Sequence, residues 1–357
     1  MKSSLIVVII LIAFGLSVRQ CGWFNKDQTE PIPDSNDTIA IADQLFYNRL
    51  IENGVDINKN GIISSSEAEA VLSLDLEGSG ISDLTGIAAF KNITHLFCSD
   101  NDLTDLDVSN NKKLTFLECS SNQLDFLDVS ANTLLDTLSC NDNDFASLDV
   151  SSNSKLVALF CFWNQLEELD LAHNPELSFL QCEGNQFAHL DLSKCTKLTV
   201  LQCQDNLLTD LDISSNQLLR ELTCYENQIT SLDVSQNIFL SYLDCSDNPL
   251  SGIDVSKNTL LIGLSCRMNQ LTELDVTNNM ELAILICGDN ELLTLDLSNN
   301  VNLGDVPAEW NWSGYHLDLS NMPTLGKVCV WTKPFPTEGI ELNIEGSPNV
   351  YFSNLCE

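Results

Sequence analysis

Apolar residues recur along this chain in a fixed figure. The stretch Leu114-x-x-Leu117-x-Cys119-x-x-Asn122-x-Leu124-x-x-Leu127-Asp128-Val129-Ser130-x-Asn132 shows one whole unit, and its frame runs from Ile93 to Asn302 without an insertion. In Leu117-x-Cys119 the apolar residues alternate, so both share the inward face of an extended segment while Glu118 points out. Each unit is therefore predicted to contribute a short strand. An eleventh copy starts at Leu303 and carries Val306, Ala308 and Asn311. One extra residue then precedes Leu317-Asp318-Leu319-Ser320, and Leu325 opens a last partial copy. Upstream, Val71-x-x-Leu74-x-Leu76 and Ile81-x-x-Leu84 form a degenerate unit that reads as an N-terminal cap over an exposed core end.

Cysteine marks the period most clearly. Ten of the 14 cysteines, Cys98, Cys119, Cys140, Cys161, Cys182, Cys203, Cys224, Cys245, Cys266 and Cys287, follow a constant step of 21. Neither a disulfide framework nor a zinc site is spaced so evenly. A narrow coil has room for a small apolar group, and an unoxidised cysteine behaves as one. In-register strands lie about 4.8 Å apart, whereas disulfide Cβ atoms sit at roughly 3.5–4.5 Å. Buried thiols are the expectation, with a cross-linked ladder or a metal array as the alternatives.

Two other columns are polar. Asparagine amides can bond turn backbone that is otherwise buried unpaired; Cys195 takes one such position. Aspartate recurs at Asp107, Asp128, Asp149, Asp170, Asp191, Asp212, Asp233, Asp254, Asp275 and Asp296, with Asp318 following the extra residue. Each stands outward between two inward apolar residues. Either these carboxylates accept from nearby Ser hydroxyls and backbone N–H groups, as in Asx turns, or the ladder collects divalent cations.

The figure resembles the leucine-rich repeat, L-x-x-L-x-L-x-x-N/C-x-L. It is most similar to the nested 21-residue, IRREKO-like type, in which each unit holds two copies, here Leu114 to Asn122 and Leu124 to Asn132. The resemblance implies a β-rich repeat solenoid of parallel strands stacked in register, with a short helical N-terminal cap and a C-terminal cap. The cysteine column departs from the usual pattern.

Composition narrows the use of such a scaffold. The 357 residues carry 51 acidic and 16 basic groups, a formal net charge of −35. Nucleic acid is disfavoured as a partner, because phosphate binding needs basic patches. Leu5 to Leu16 is an apolar run after Lys2, of signal-peptide length and short for a membrane span. Cys21 follows, then a polar stretch with two prolines, an arrangement that resembles bacterial lipoproteins; Val18-Arg19-Gln20 departs from their small residue before the cysteine. The expected organisation is a signal peptide at 1–20, a tether at 21–37, a helical segment at 38–70, repeats at 71–330 and a C-terminal cap at 331–357. Export to the outer membrane or cell surface, lipid-anchored through Cys21 or freely secreted, follows as the expectation. In an oxidising compartment a Cys329–Cys356 disulfide would pin the tail over the last coil. The tail itself resembles the C-terminal ends of repeat proteins from Bacteroidota.

One motif before the repeats carries chemistry. Asp56-Ile57-Asn58-Lys59-Asn60-Gly61-Ile62-Ile63-Ser64-Ser65-Ser66-Glu67 fits the twelve-residue EF-hand loop. Oxygens fall at Asp56, Asn58 and Asn60, Ile62 offers its carbonyl, Ser64 can act through water, and Glu67 can bind through both oxygens. With only two carboxylates, the expected Ca2+ affinity is modest, Kd ~10⁻⁴–10⁻³ M, for a structural ion. A calcium-free helical turn is the alternative.

No catalytic set is visible. His95, His173, His189 and His316 fall in different repeats and columns, without a nucleophile–base–orienter arrangement. The strand face is the natural binding surface of a repeat sheet. Phe160, Phe162 and Trp163 crowd one repeat, and Phe116, Phe179, Tyr225 and Tyr242 take equivalent positions, with Glu183, Asp205, Glu226 and Asp244 on the same face. An exposed aromatic cluster with a polar rim points to a protein or glycan ligand. Aromatics covered by a flank or by each other remain the alternative at the level of residues, as a purely architectural spacer and a secreted enzyme do at the level of function.

Overall fold

A computed structural model describes residues 38–310, 313–332 and 334–356. The expected signal peptide, Cys21 and the tether lie outside these described residues. The described residues divide into two compact units, one ending at Leu177 and one starting at Ser178, and both are parallel β-solenoids.

The first unit opens with helices α1 (Gln44–Glu52) and α2 (Ser65–Ala70) and continues through strands β1 (Ser73–Asp75), β2 (His95–Phe97), β3 (Phe116–Glu118), β4 (Thr137–Ser139) and β5 (Ala158–Phe160). The strands pair in parallel, Leu74 with Leu96, Leu96 with Leu117, Leu117 with Leu138 and Leu138 with Leu159. The helices close the core. Phe46 and Leu50 of α1 are buried, and the Phe46 ring meets Phe90. Asp43 caps α1 through the N–H groups of Leu45 and Phe46, and its other oxygen accepts from the Ser82 N–H and hydroxyl. The same carboxylate thus ends the helix and ties it to the first repeats.

The second unit holds β6 (Phe179–Gln181), β7 (Val200–Gln202), β8 (Glu221–Thr223), β9 (Tyr242–Asp244), β10 (Gly263–Ser265) and β11 (Ile284–Ile286), again in parallel register. Beyond them lie β12 (Thr294–Leu297), β13 (Leu317–Asp318), β14 (Lys327–Val330), β15 (Leu342–Asn343) and β16 (Tyr351–Ser353). Strands β13 and β15 extend the sheet from β11, while β12, β14 and β16 form a separate three-stranded sheet. Cys329 and Cys356 are joined in a disulfide, their Cα atoms 5.7 Å apart.

The end of the repeats differs from the sequence reading. Leu317 pairs with Leu285 and Asp318 with Ile286, so Leu317-Asp318-Leu319 takes the Leu-x-Cys position. Asp318 is buried there and does not continue the aspartate column. Cys329 stands opposite Asp296 instead. The segment read as an eleventh copy, with Val306, Ala308 and Asn311, makes no strand of either kind among its described residues. It holds a 3-10 turn at Ala308–Trp310. The two halves of each unit share one apolar figure, so the pattern alone does not separate them.

The polar columns explain how a short turn closes. Asn143 donates to the carbonyls of Cys119, Cys140 and Asn141, and its Oδ1 accepts from the Leu124 N–H. One amide therefore satisfies the strand exit and links two consecutive turns. The second column does less: Asn153 donates to Val129 and Asn132 carbonyls, and its buried Oδ1 has no partner among the described residues. A residue in the left-handed region ends the strand in nearly every turn, for example Asp100, Ser121, Asp142, Asp205 and Asp247.

The ten repeat cysteines are fully buried and none is disulfide-bonded. Desolvation pushes the Cys119 and Cys266 thiols up to about 12. The aspartates behave oppositely. Asp128 accepts from the Ser130 N–H at 2.8 Å, and the same bond recurs from Ser109 to Ser298 down the column. Hydrogen bonds from Ser130 and Ser214 hold the exposed Asp128 and Asp212 carboxyls below their ordinary value. The Asx-turn interaction is thus present in the fold.

These shifts set two pH limits. Thiols raised in the folded chain stabilise it fully below the unfolded value near 8.5, and that contribution is lost as pH climbs toward 12. Carboxyls lowered in the folded chain contribute above roughly 3.9, and this is lost as pH falls through their folded values. Urea midpoints measured across pH should therefore decline at both ends. Replacing Cys119 and Cys266 with Ala should flatten the alkaline limb and leave the acid limb unchanged.

Candidate binding face and calcium loop

Side chains at either side of each strand leucine, and just beyond the cysteine, form the strand face. In the first unit Phe116 is buried, with the His95 ring stacked on it at 5.9 Å and Phe97 tilted against it at 5.0 Å. Phe160 is also buried at 3% exposure, Phe162 is half-buried and Trp163 is 52% exposed. In the second unit Phe179 and Tyr225 are half-buried and Tyr242 is buried.

Three aromatics expected on an open face, Phe116, Phe160 and Tyr242, are therefore covered. For Phe116 the cause is the preceding turn, which brings His95 of the same column and Phe97 of the column beside it against the ring. For Tyr242 the cause is the segment between β12 and β13. Trp310 meets Tyr242 edge-on at 5.8 Å. Gly263 makes room for the pair: a Cβ there would lie 2.8 Å from Tyr242 and 3.1 Å from Trp310. Phe97 was legible in principle, because it shares the column of Phe160. Trp310 was not, because it belongs to an irregular segment.

Trp163 occupies the left-handed position that ends the strand, with φ 51°. Other turns place Asp, Ser, Glu, Gly or Met there. Polar groups surround the second unit's aromatics. Gln202 donates to Glu221 at 2.8 Å, and burial pushes the Glu221 carboxyl up. Arg267 bonds Asp289 at 2.7 Å. The histidines do not converge: His189 pairs with the exposed Asp210, and His316 Nδ1 accepts from the Glu341 N–H.

The loop at 56–67 is folded around its own oxygens. Glu67 is fully buried; one oxygen accepts from the Ile57 and Asn58 N–H groups, the other from the Ser64 N–H and hydroxyl. Asp56 accepts from Asn60 and Gly61, and Asn60 from the Ile62 N–H. Gly61, at φ 77°, makes the sharp turn. Helix α2 starts at this site, with Ser64 and Glu67 forming a reciprocal capping box. The donor set is wholly oxygen, and it turns a buried carboxylate with no described cationic partner into the loop. That chemistry fits calcium.

No protein-family model matches the chain, and no curated protein matches it in sequence. Solved structures do. The functional domain of InlJ from Listeria monocytogenes, which includes a cysteine ladder, is 29% identical, with a TM-score of 0.55 over 75% of this chain and 70% of that one. The internalin InlF from the same organism is 19% identical, with a TM-score of 0.67 over 88% of this chain and 96% of that one. The Leptospira interrogans LRR protein LIC12759 is 21% identical, with a TM-score of 0.60 over 82% and 81%. The chain is a parallel β-solenoid of the leucine-rich-repeat fold, with turns of 21 residues.

Proposed function

We propose that this is an exported, surface-attached repeat protein that binds a protein or glycan ligand through its strand face without catalysis, and that calcium holds its N-terminal cap. Trp163 is the observation that carries the binding reading. A bulky residue in the left-handed region costs about 1–2 kcal/mol, and here the ring stands half in solvent where the other turns, apart from the one with Met268, hold small or polar groups. Packing does not account for it, whereas aromatic anchors are typical of binding surfaces. Tyr225, in the column of Phe162, is the candidate in the second unit. The plant receptor RGFR1, which shares the fold, is solved with the peptide RGF2, which supports a protein ligand. The apolar run at Leu5–Leu16 and the Cys329–Cys356 disulfide support export.

Asp56, Asn58, Asn60, the Ile62 carbonyl, Ser64 and Glu67 would hold the ion. When bound, calcium supplies positive charge to a loop that otherwise buries Glu67 against N–H groups and the Ser64 hydroxyl. The loop matters because α1 is tied to the repeats by Asp43 and by Arg49 and Asn53, which donate to the Asp75 carbonyl. A fixed loop therefore seals the first turns.

Calcium at ten times Kd should stabilise the chain by about 1.4 kcal/mol, seen as a rise in Tm. Glu67→Ala should remove most of that increment, although it also lowers Tm without calcium by breaking the capping box. A variant that keeps the full increment would move the site to the aspartate column.

For binding, the immobilised chain should capture a partner from surface or secreted extracts. Trp163→Ala should weaken capture at least tenfold while shifting stability by no more than about 0.5 kcal/mol. Phe160 is unsuitable for this test, because truncating a buried phenylalanine costs about 3–5 kcal/mol. Unchanged capture by the Trp163 and Tyr225 variants would favour the spacer reading.

A further inference from the structure

In the second unit, the return turns that lead from the aspartate column to the next strand have a composition unlike the rest of the surface. Leu218, Ile238, Phe239, Leu260, Met280 and Val301 fall in five consecutive turns, one or two residues after the buried Asn216, Asn237, Asn258, Asn279 and Asn300. All six are between 40% and 56% exposed. The strand pairing carries successive turns forward by about 4.8 Å, so these tips make a ridge roughly 19 Å long. Nothing in the fold needs them apolar: the matching positions in the first unit include Lys112, Lys113, Lys155 and Glu176, with Leu134 the one exposed large apolar side chain there.

Charge follows the same edge. Between residues 178 and 302 there are 5 basic and 17 acidic side chains. Lys194, Lys197, Arg220 and Lys257, four of those five, lie in the return turns, against a single carboxylate, Glu281. The fifth, Arg267, is engaged with Asp289 at the strand exit. The aspartate column precedes each ridge residue by five or six positions, and its carboxylates are bonded to turn N–H groups. A strongly acidic protein thus gathers its cations beside an exposed apolar ridge.

We propose that this ridge docks on a phospholipid bilayer bearing anionic headgroups, its apolar tips entering the acyl boundary and its lysines and arginine meeting headgroup phosphates. Amphipathic surfaces of this composition bind membranes by apolar burial and attraction to anionic lipid. A second copy of the chain is the weaker occupant. Six half-exposed side chains along about 19 Å fall short of the roughly 800 Å² per partner of a standard interface, and in a symmetric pair the cations of one ridge would meet the same cations of the other. A peptide helix needs a groove, whereas these side chains project from turn tips. Screening over about 8 Å at physiological salt leaves the local cations in control of contact. The proposal is independent of the strand-face reading and of lipid at Cys21.

The test uses the full chain with Cys21→Ser and Thr259→Cys, labelled at position 259 with an environment-sensitive fluorophore; the ten repeat cysteines and Cys195 are buried. Mixed phosphatidylcholine–phosphatidylglycerol vesicles should shift its emission to the blue, and quencher-bearing lipids should quench it. Leu218→Ser, Phe239→Ser and Leu260→Ser together should weaken vesicle binding on the order of tenfold or more, with melting unchanged. Replacing Lys194, Lys197, Arg220 and Lys257 with Gln should do the same for the mixed vesicles and little for pure phosphatidylcholine. Vesicle binding with no quenching at 259 would assign the contact to the N-terminal segment and overturn the proposal. So would a dimer, or capture of an acidic peptide, that the serine variant abolishes while the label stays unquenched by lipid.

Discussion

A 21-residue turn can close only if the polar backbone at its corners is bonded while water is excluded. The first asparagine column meets that constraint. Asn122, Asn143 and Asn164 each donate to the carbonyls of the cysteine, the residue after it and the preceding turn's cysteine, and each accepts from one N–H of the preceding turn. An unpaired buried amide or carbonyl costs about 1–3 kcal/mol, so a turn without this amide would lose much of what burying its leucines contributes. The left-handed residue that follows the cysteine places the asparagine for the task.

The core and the faces follow from that closure. With the turn held so tightly, cysteine fills the interior position beyond each strand leucine in ten successive turns, and leucine takes it at the two ends, Leu76 and Leu319. The outward positions are released from folding duties, which lets the strand face collect aromatics and the return turns collect leucine, isoleucine, phenylalanine and lysine. The aspartates stand between these regimes. They look outward, yet each one pins the turn N–H two residues on.

The repeat itself was legible because the constraint acts identically on every turn. Leu117, Cys119 and Asn122 each answer to one local requirement, so period, register and inward face could be read without tertiary information. The last turns were not legible, because Leu317-Asp318-Leu319-Ser320 satisfies both halves of the nested unit and only pairing with Leu285 decides between them. The candidate binding face was legible as a set of positions but not as a surface. Whether Phe116 or Tyr242 is open depends on His95, Phe97 and Trp310, and Trp310 comes from a segment that carries no repeat. The cations beside the apolar ridge were hidden for another reason: a net charge of −35 says nothing about where sixteen cations stand. The loop at 56–67 was readable residue by residue, while the fold adds that Glu67 serves α2 as well as the loop.

The account rests on the first asparagine column doing more than the second, and matched truncations test this directly. Asn143→Ala and Asn153→Ala remove the same atoms from buried sites in the same unit, so a similar cavity is left and the difference reports the hydrogen bonds. Asn143 loses three carbonyl partners and leaves the Leu124 N–H without its acceptor; Asn153 loses two carbonyl partners and an Oδ1 that has none. Urea unfolding of the two variants should show Asn143→Ala less stable than Asn153→Ala by about 2 kcal/mol. Equal losses, or a larger loss at Asn153, would contradict the claim that the first column closes the turn.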